Sequence, residues 1–519
     1  MKQFLKKHFW LILIVLLASF FRFYNLSSNP PSLNWDEVAI GWNAKTIFHT
    51  RRDEYGTRLP LSFQSFGDFK SPLYIYLTAP IVGLFGMNAV TVRLLSVMVG
   101  IFSIVLIYFI AKQLLKPVVH NPQTVSLLSA LLLAVSPWHI LLSRPAYESN
   151  LALFFILLGI WLFLKSLKQS KYFVFCVLSF ALSLYAYHSS KIFVPFFLLG
   201  LAFIYRKKLL LKKSRKWIIA SAILGTLLLF PLIKETFFGK SASRFQAASI
   251  FYNRQGERMP LDLPLFIQIG KNYLIHYSPA YLFSGSDQMP RLQMEKVGPL
   301  LLIQAPFLIL GLIYLIQQRK QQWSKFLFLW LVVSAIPAMI GFEAPHPIRS
   351  YNLLPVLIFI TVLGFNSFRK LLIKPAVRML LIVLFIVNAG HFIYRYFAVY
   401  PIYSAPAWQY GYKEAAQIAK QYEDQVEKVI FTSYYNQPHV FTYFYQQRQP
   451  KHVFWGSMSK YLFRAIDWYG DKNFIIENNK KLTKLLIIGA PEEIPTDAKD
   501  IIKEIKFPDG ETAFRIVKI

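Results

Sequence analysis

The sequence predicts a polytopic α-helical membrane protein of about eleven transmembrane helices, with interfacial helices in its first outer loop and a small α/β domain at its C-terminal end. Three observations carry that prediction. Hydrophobic residues make up 55% of the 519 positions and aromatic residues 17%, with a mean hydropathy of +0.40, and the apolar residues fall into runs that repeatedly reach spanning length. Lysines and arginines cluster between alternate runs, the distribution that fixes topology. From about Tyr400 the chain changes to alternating charged helical and short β-rich segments.

The net charge of +31 does not point to nucleic acid, because the cations lie between hydrophobic runs and no Walker A lysine loop or GxGxxG turn accompanies them. The single cysteine, Cys176, sits in an apolar run and excludes an intramolecular disulfide.

Taken in order, Phe9 to Phe23 follows Lys2, Lys6 and Lys7 but precedes no small-x-small cleavage site, so it reads as a retained first helix. With those lysines inside, each return is marked by basic residues: Lys112 and Lys116; Lys165, Lys168 and Lys171; Arg206 to Lys216; Arg319, Lys320 and Lys325; Arg369, Lys370, Lys374 and Arg378. The predicted spans are 9–26, 89–114, 124–142, 148–167, 171–187, 190–206, 216–234, 298–317, 325–341, 351–368 and 376–396, with the amino terminus inside and the carboxyl terminus outside. The apolar stretch from Leu73 to Phe85 reaches only about 20 Å as a helix against a hydrocarbon core of about 30 Å, and is expected to lie in the outer interface. An earlier helix has its apolar stripe at Ile40, Ala44, Ile47 and Phe48 and is expected to lie on the same surface. After Tyr400, residues 405–422 and 438–447 read as helices, and KVIFTS, KLLIIGA and TAFRIVKI as strands. This divides the chain into a transmembrane domain, 1–398, with outer loops at 27–88 and 235–297, and an extracytoplasmic α/β domain, 399–519.

The polar stretch from Asn34 to Leu73 cannot be embedded in lipid, and it is the expected chemical centre, the alternative being a solvated loop whose acids merely start a helix. Asn34 can cap a helix and Glu37, three residues on, can reach back to it, so Glu37 has a structural task available. Asp36 has no such partner and is the candidate general base; Glu37 is kept beside it as the second acid. Lys70 follows, ahead of the interfacial helix.

The order of a first helix, NWDE (34–37), FKSPLYIYL (69–77), the arginine of AVTVRLLS (Arg93), SRPAYESNLALFF (143–155), LYAYHSSKIFVPFFLL (184–199) and APHPIRSYNLLPVL (344–357) resembles the GT-C polyprenyl-phosphate-sugar glycosyltransferases, of the protein O-mannosyltransferase and lipid A aminoarabinose transferase type. The resemblance implies transfer of a sugar from a lipid-linked phosphate to a cell-envelope lipid, glycan or protein on the outer face of the cell membrane, with inversion. It implies Asp36 as the catalytic acid residue, Lys70 as the lysine on the donor phosphate and Tyr351 as a phosphate contact. Some relatives carry Glu before that lysine as part of a metal site; here Phe69 stands there, with Asp68 one residue earlier, which speaks against a divalent cation, and no other cofactor is implied.

Other cations expected on the outer face are Arg144, Lys191, Lys271, Arg291 and Arg349, with Arg144 and Arg349 the further candidates for donor phosphate. Arg144 has an alternative partner in Glu148 at helical spacing. His188, His276 and His346 are candidate substrate contacts; no His-x-x-His or cysteine pair supports metal binding, and a hydrogen-bonded interfacial role is the simpler reading for His188 and His276. Tyr185 and Tyr187 belong to an aromatic run that packs helices and reaches a donor only at its outer end. The aromatic outer loop 235–297 is expected to form an ordered lid. A transporter or lipid flippase is the competing reading, but it predicts midplane charges and inverted repeats, neither of which is present. A glycan-binding module on a membrane anchor would need far fewer spans.

Overall fold

The computed structural model describes residues 2–239, 249–253, 255–286, 288–368, 374–450, 458–474, 476–477, 480–481 and 484–519. The expected loop stretch KSASRFQAAS, apart from Ser249, and the basic residues Arg369 and Lys370 lie outside them.

Each of the eleven expected stretches overlaps helix, although in 298–317 the α-helix starts only at Ala305 and in 325–341 the longer helix ends at Ser334. The first is α1 (Lys2–Phe23). After the 27–88 loop come α4 (Ala89–Leu114), the pair α5 (Pro122–Ala134) and α6 (Pro137–Ser143), α7 (Glu148–Ser166), α8 (Tyr172–Ala186), α9 (Ser190–Leu209) and α10 (Lys212–Phe238). Four helices complete the series: α12 (Ala305–Gln317), α13 (Gln322–Ser334), α14 (Leu353–Ser367) and α15 (Pro375–Tyr394). Among the described residues five helices are long and apolar enough to cross a membrane, or six with α5 and α6 taken together, and five shorter apolar helices accompany them. The 56° bend between α5 and α6 has a local cause. Pro137 has no N–H to continue the ladder, and the Ser136 hydroxyl instead accepts from His139 N–H to start a new helix.

Loop 27–88 folds into α2 (Trp35–Thr50), the antiparallel hairpin β1 (Phe63–Ser65) and β2 (Asp68–Lys70), and α3 (Pro72–Phe85). The hairpin turns on two residues, Phe66 and Gly67, both at positive φ, the geometry that matches strand twist. No alternation of apolar and polar residues announces strands this short. Ser71 and Pro72 then open α3 immediately after Lys70.

At the C-terminal end, α16 (Tyr412–Tyr422) and α17 (Pro438–Tyr445) pack on a five-stranded sheet of order β4-β3-β7-β9-β8. Its strands are β3 (Lys428–Phe431), β4 (Tyr461–Phe463), β7 (Leu485–Gly489), β8 (Ile501–Lys506) and β9 (Thr512–Lys518); α18 (Trp468–Phe474) and the small β5 (Ile476–Glu477) and β6 (Lys480–Lys481) hairpin lie between β4 and β7. Strands β3, β4 and β7 run parallel and β9 antiparallel to β7. The three expected strands are β3, β7 and β9. The expected helix over 405–422 begins only at Tyr412, after Gly411 at φ +97.

Helix α2 departs from the expected surface helix with a single apolar stripe: Glu37 through Ile47 are all buried, because α3 covers one side and α17 another. Close approach depends on Gly41, where a Cβ would stand 2.5 Å from the Phe444 ring and 2.8 Å from Val92. The Lys45 ammonium donates to the carbonyls of Gln447 and Arg448 at the end of α17, and the Gln447 amide donates to Met87 O at 2.8 Å. The C-terminal sheet unit is thereby seated on the 27–88 segment.

Candidate active site

The start of α2 is built from its own sequence. The Asn34 side chain accepts from the backbone N–H groups of Asp36 and Glu37 at 2.8 and 3.2 Å, and the Glu37 carboxylate accepts from Asn34 N–H, the expected capping box. Glu37 does more than cap. Its oxygens also accept from Arg93 Nε and Nη2, at 2.9 and 3.0 Å, and from Ala146 N–H at 3.0 Å. Both members of the pair are fully buried, and Arg93 spends its other N–H groups on the carbonyls of Leu26, Pro30 and Ser32. Glu37, expected beside Asp36 in the chemistry, is therefore held out of the cavity, where every lone pair direction it offers is engaged by protein.

Asp36 points the other way. Lys70 Nζ donates to Asp36 Oδ1 at 2.5 Å, Trp35 Nε1 donates to Oδ2 at 3.1 Å, and the Arg291 guanidinium lies 3.8 Å from Oδ2 while stacked 4.8 Å over the Trp35 ring. Asp36 is 37% exposed and Lys70 8%. They share a cavity of about 520 Å³ with Asp68, Tyr147, Glu148, Tyr187, Arg291, His346, Arg349, Asn436 and Gln437. Residues 34 positions apart thus meet because the β1-β2 hairpin carries Lys70 back to the first turn of α2.

Arg349 reaches the same cavity from the turn ahead of α14. One terminal nitrogen, Nη1, is buried with no hydrogen-bond partner among the described residues. Gly341 makes room for it: a Cβ there would stand 1.8 Å from Nη1. The turn is held by His276, whose Nε2 accepts from His346 N–H at 3.0 Å while its Nδ1–H donates to Asn272 O at 2.6 Å. That arrangement requires the neutral imidazole, and burial pushes the His276 pKa down to about 4. His276 is a positioning group away from the cavity. Tyr147 does similar work for Arg291, donating its hydroxyl to the Arg291 carbonyl; burial holds that phenol protonated by raising its pKa.

The structure thus gathers Asp36, Lys70, Tyr187, His346, Arg349 and Arg291 around one space. It does not bring the other expected residues there. Arg144 is buried against the Tyr396 and Phe397 rings and donates to the carbonyls of Phe21, Tyr24, Asn25 and Asn29, tying down the end of α1. Tyr351 is buried against the Trp138 and His139 rings. The Tyr185 hydroxyl donates to Leu228 O, and Lys191 Nζ to Thr236 Oγ1. His188 is hydrogen-bonded to Phe69 O at 2.9 Å, bracing β2 beside Lys70. Lys271 is exposed on α11 (Leu263–Ile275). Asn436 and Gln437, some 400 positions from Asp36, had no signal in the sequence.

The donor set for a divalent cation does not fit. Phe69 precedes Lys70, Asp68 Oδ1 accepts from Phe69 N–H, and among the described residues no group of three or more His, Cys, Asp or Glu side chains is placed to hold a metal.

Residues 69–233 match the family model described as dolichyl-phosphate-mannose-protein mannosyltransferase. Among curated proteins no sequence matches the chain. Solved structures with the same fold include ArnT from Cupriavidus metallidurans in the apo state, at 12% identity and a TM-score of 0.58 over 99% of this chain and 98% of that one. The same protein bound to undecaprenyl phosphate matches at 12% identity and 0.53, over 98% of each chain. The Archaeoglobus fulgidus oligosaccharyltransferase in the apo form matches at 12% identity and 0.50, over 94% of this chain and 70% of that one. Residues 69–233 therefore match a mannosyltransferase family model, and the chain as a whole shares its fold with ArnT and the archaeal oligosaccharyltransferase.

Proposed function

We propose that this chain is an integral membrane glycosyltransferase that moves a sugar from a polyprenyl-phosphate donor to a cell-envelope lipid, glycan or protein acceptor on the outer face of the membrane, with inversion at the anomeric carbon. The observation that carries the reading is the Asp36–Lys70 pair, in one cavity with Arg291 and Arg349. In this reading the eleven helical segments span the bilayer, and residues 399–519 form an extracytoplasmic domain over the site.

The reaction requires a base for the acceptor proton and positive charge for the departing phosphate. Asp36 accepts the proton of the acceptor hydroxyl or amine as its oxygen or nitrogen attacks the anomeric carbon. The C–O bond to phosphate breaks on the opposite face, and the leaving phosphate is received by Lys70 and Arg349, with Arg291 beside them. A placed base contributes roughly 10²- to 10⁴-fold in rate, and fixed cations aimed at developing charge contribute several kcal/mol, about 3–4 for a single well-placed donor. Lys70 bound to Asp36 keeps the cation preorganised, and a phosphate competes for it.

The test supplies radiolabelled polyprenyl-phosphate sugars and envelope extract to the purified protein. Transfer by the parent, lost in Asp36→Asn and Lys70→Ala, supports the reading; transfer that is unchanged in Asp36→Asn removes the catalytic assignment.

A further inference from the structure

We infer that the turn joining β3 to α17 reads the hydroxyl groups of the sugar being transferred, through the side-chain amides of Asn436 and Gln437. The inference rests on the functional reading above and adds a specificity element contributed by the C-terminal sheet unit.

Four observations support it. Both residues line the cavity that contains Asp36 and Lys70. Among the described residues neither side-chain amide has a hydrogen-bond partner, whereas the turn's backbone is tied on several sides: Asn436 N–H donates to Ser433 O at 2.9 Å, and Asn436 O accepts from the Tyr412 hydroxyl at 3.0 Å. Asn436 and Gln437 are successive non-glycine residues at positive φ, 65° and 54°. Such a conformation persists only where the surroundings impose it, and it turns two neighbouring side chains out of the helix that follows. The turn also leaves the carboxyl end of β3 beside the parallel strands β4 and β7, the edge at which open α/β sheets present ligand-binding loops.

One side chain sets the turn's position relative to the chemistry. Gln409 Oε1 accepts from Trp35 N–H at 2.8 Å, one residue before Asp36, and Gln409 Nε2 donates to Tyr435 O at 2.7 Å, one residue before Asn436. Gln409 is buried and itself sits at φ 55°. The first turn of α2 and the 432–437 turn are thus held by the two ends of a single amide. The chemistry of the two surfaces differs. Lys70 and Arg349 are cations suited to phosphate, while Asn436 and Gln437 offer neutral planar groups with both donors and acceptors, which match hydroxyls on adjacent ring carbons. A sugar joined directly to the phosphate must occupy the same cavity.

The test measures binding of undecaprenyl phosphate, and of undecaprenyl-phosphate mannose, glucose and arabinose, to the full-length protein in detergent. In the parent at least one sugar-bearing lipid binds more tightly than the sugar-free lipid. In Asn436→Ala/Gln437→Ala that advantage falls roughly tenfold, while affinity for undecaprenyl phosphate changes less than about twofold. Gln409→Ala, a positioning change, lowers the same advantage without altering either amide. If the double alanine variant does not fold, the single variants Asn436→Ala and Gln437→Ala are read in the same way. An advantage that survives the substitutions, a parent with no advantage for any sugar, or an equal loss for both kinds of lipid at unchanged melting temperature overturns the inference. A parent that binds none of the lipids overturns the functional reading, and the inference falls with it.

Discussion

The Arg93 guanidinium and the Glu37 carboxylate meet through hydrogen bonds of 2.9 and 3.0 Å with neither side chain exposed to solvent. The pair joins α4 to the first turn of α2, so the residue next to Glu37 has a fixed direction. That residue is Asp36. The capping spacing already set Glu37 apart from Asp36, and this contact completes the division into one acid that supports and one that faces the cavity.

Removing one partner of a buried pair leaves the other charge uncompensated, at a cost of about 3–5 kcal/mol. Glu37→Gln and Arg93→Met are each expected to lower the melting temperature and the yield of detergent-solubilised protein. A Glu37→Gln protein of parental stability that had lost only its transfer activity would return Glu37 to the chemistry.

Asp36→Asn should behave in the opposite way. Asp36 is partly exposed, and its loss leaves Lys70 near the cavity water, so folding is expected to be retained while transfer falls by roughly 10²- to 10⁴-fold. Melting curves measured beside initial rates distinguish the two acids directly.

Gly341 supplies a test of the Arg349 position that leaves Arg349 itself intact. An alanine there must push the guanidinium aside, because its Cβ would stand 1.8 Å from Nη1. The far end of a flexible side chain can move at small cost to stability, so Gly341→Ala is expected to fold normally. It should nonetheless weaken undecaprenyl phosphate binding in the same direction as Arg349→Ala, measured by titration in detergent; parental affinity in Gly341→Ala would show that Arg349 does not hold the phosphate there.

The neutral His276 predicts a pH dependence of stability. Its folded pKa of about 4 lies below the ordinary value of 6.5, so between these values the unfolded chain binds more protons than the folded one. Stability contributed by this group is present above pH 6.5 and is lost as pH falls toward 4. His439, also held down to about 4 by burial, acts in the same window. Melting temperatures between pH 7 and pH 4 should fall for the parent, and less steeply for His276→Gln; equal slopes would remove His276 from the account.

Much of this protein follows from local pattern. Runs of apolar residues become helices, and the Asn34 and Glu37 spacing makes a capping box, because each of these depends on residues close to one another along the chain. Asp36 and Lys70 were legible for the same reason, as ionisable groups in a polar stretch between apolar ones. What shares the cavity with them was settled by packing alone. Arg144 and Arg349 are both arginines at the ends of helices, yet Arg144 turns toward carbonyls at the end of α1 and Arg349 toward Lys70's cavity. Asn436 and Gln437 join the site only because α17 docks on Gly41 of a helix nearly 400 residues earlier. A side chain's direction depends on which distant surfaces exclude it or accept its hydrogen bonds, and no periodicity along the chain encodes that choice.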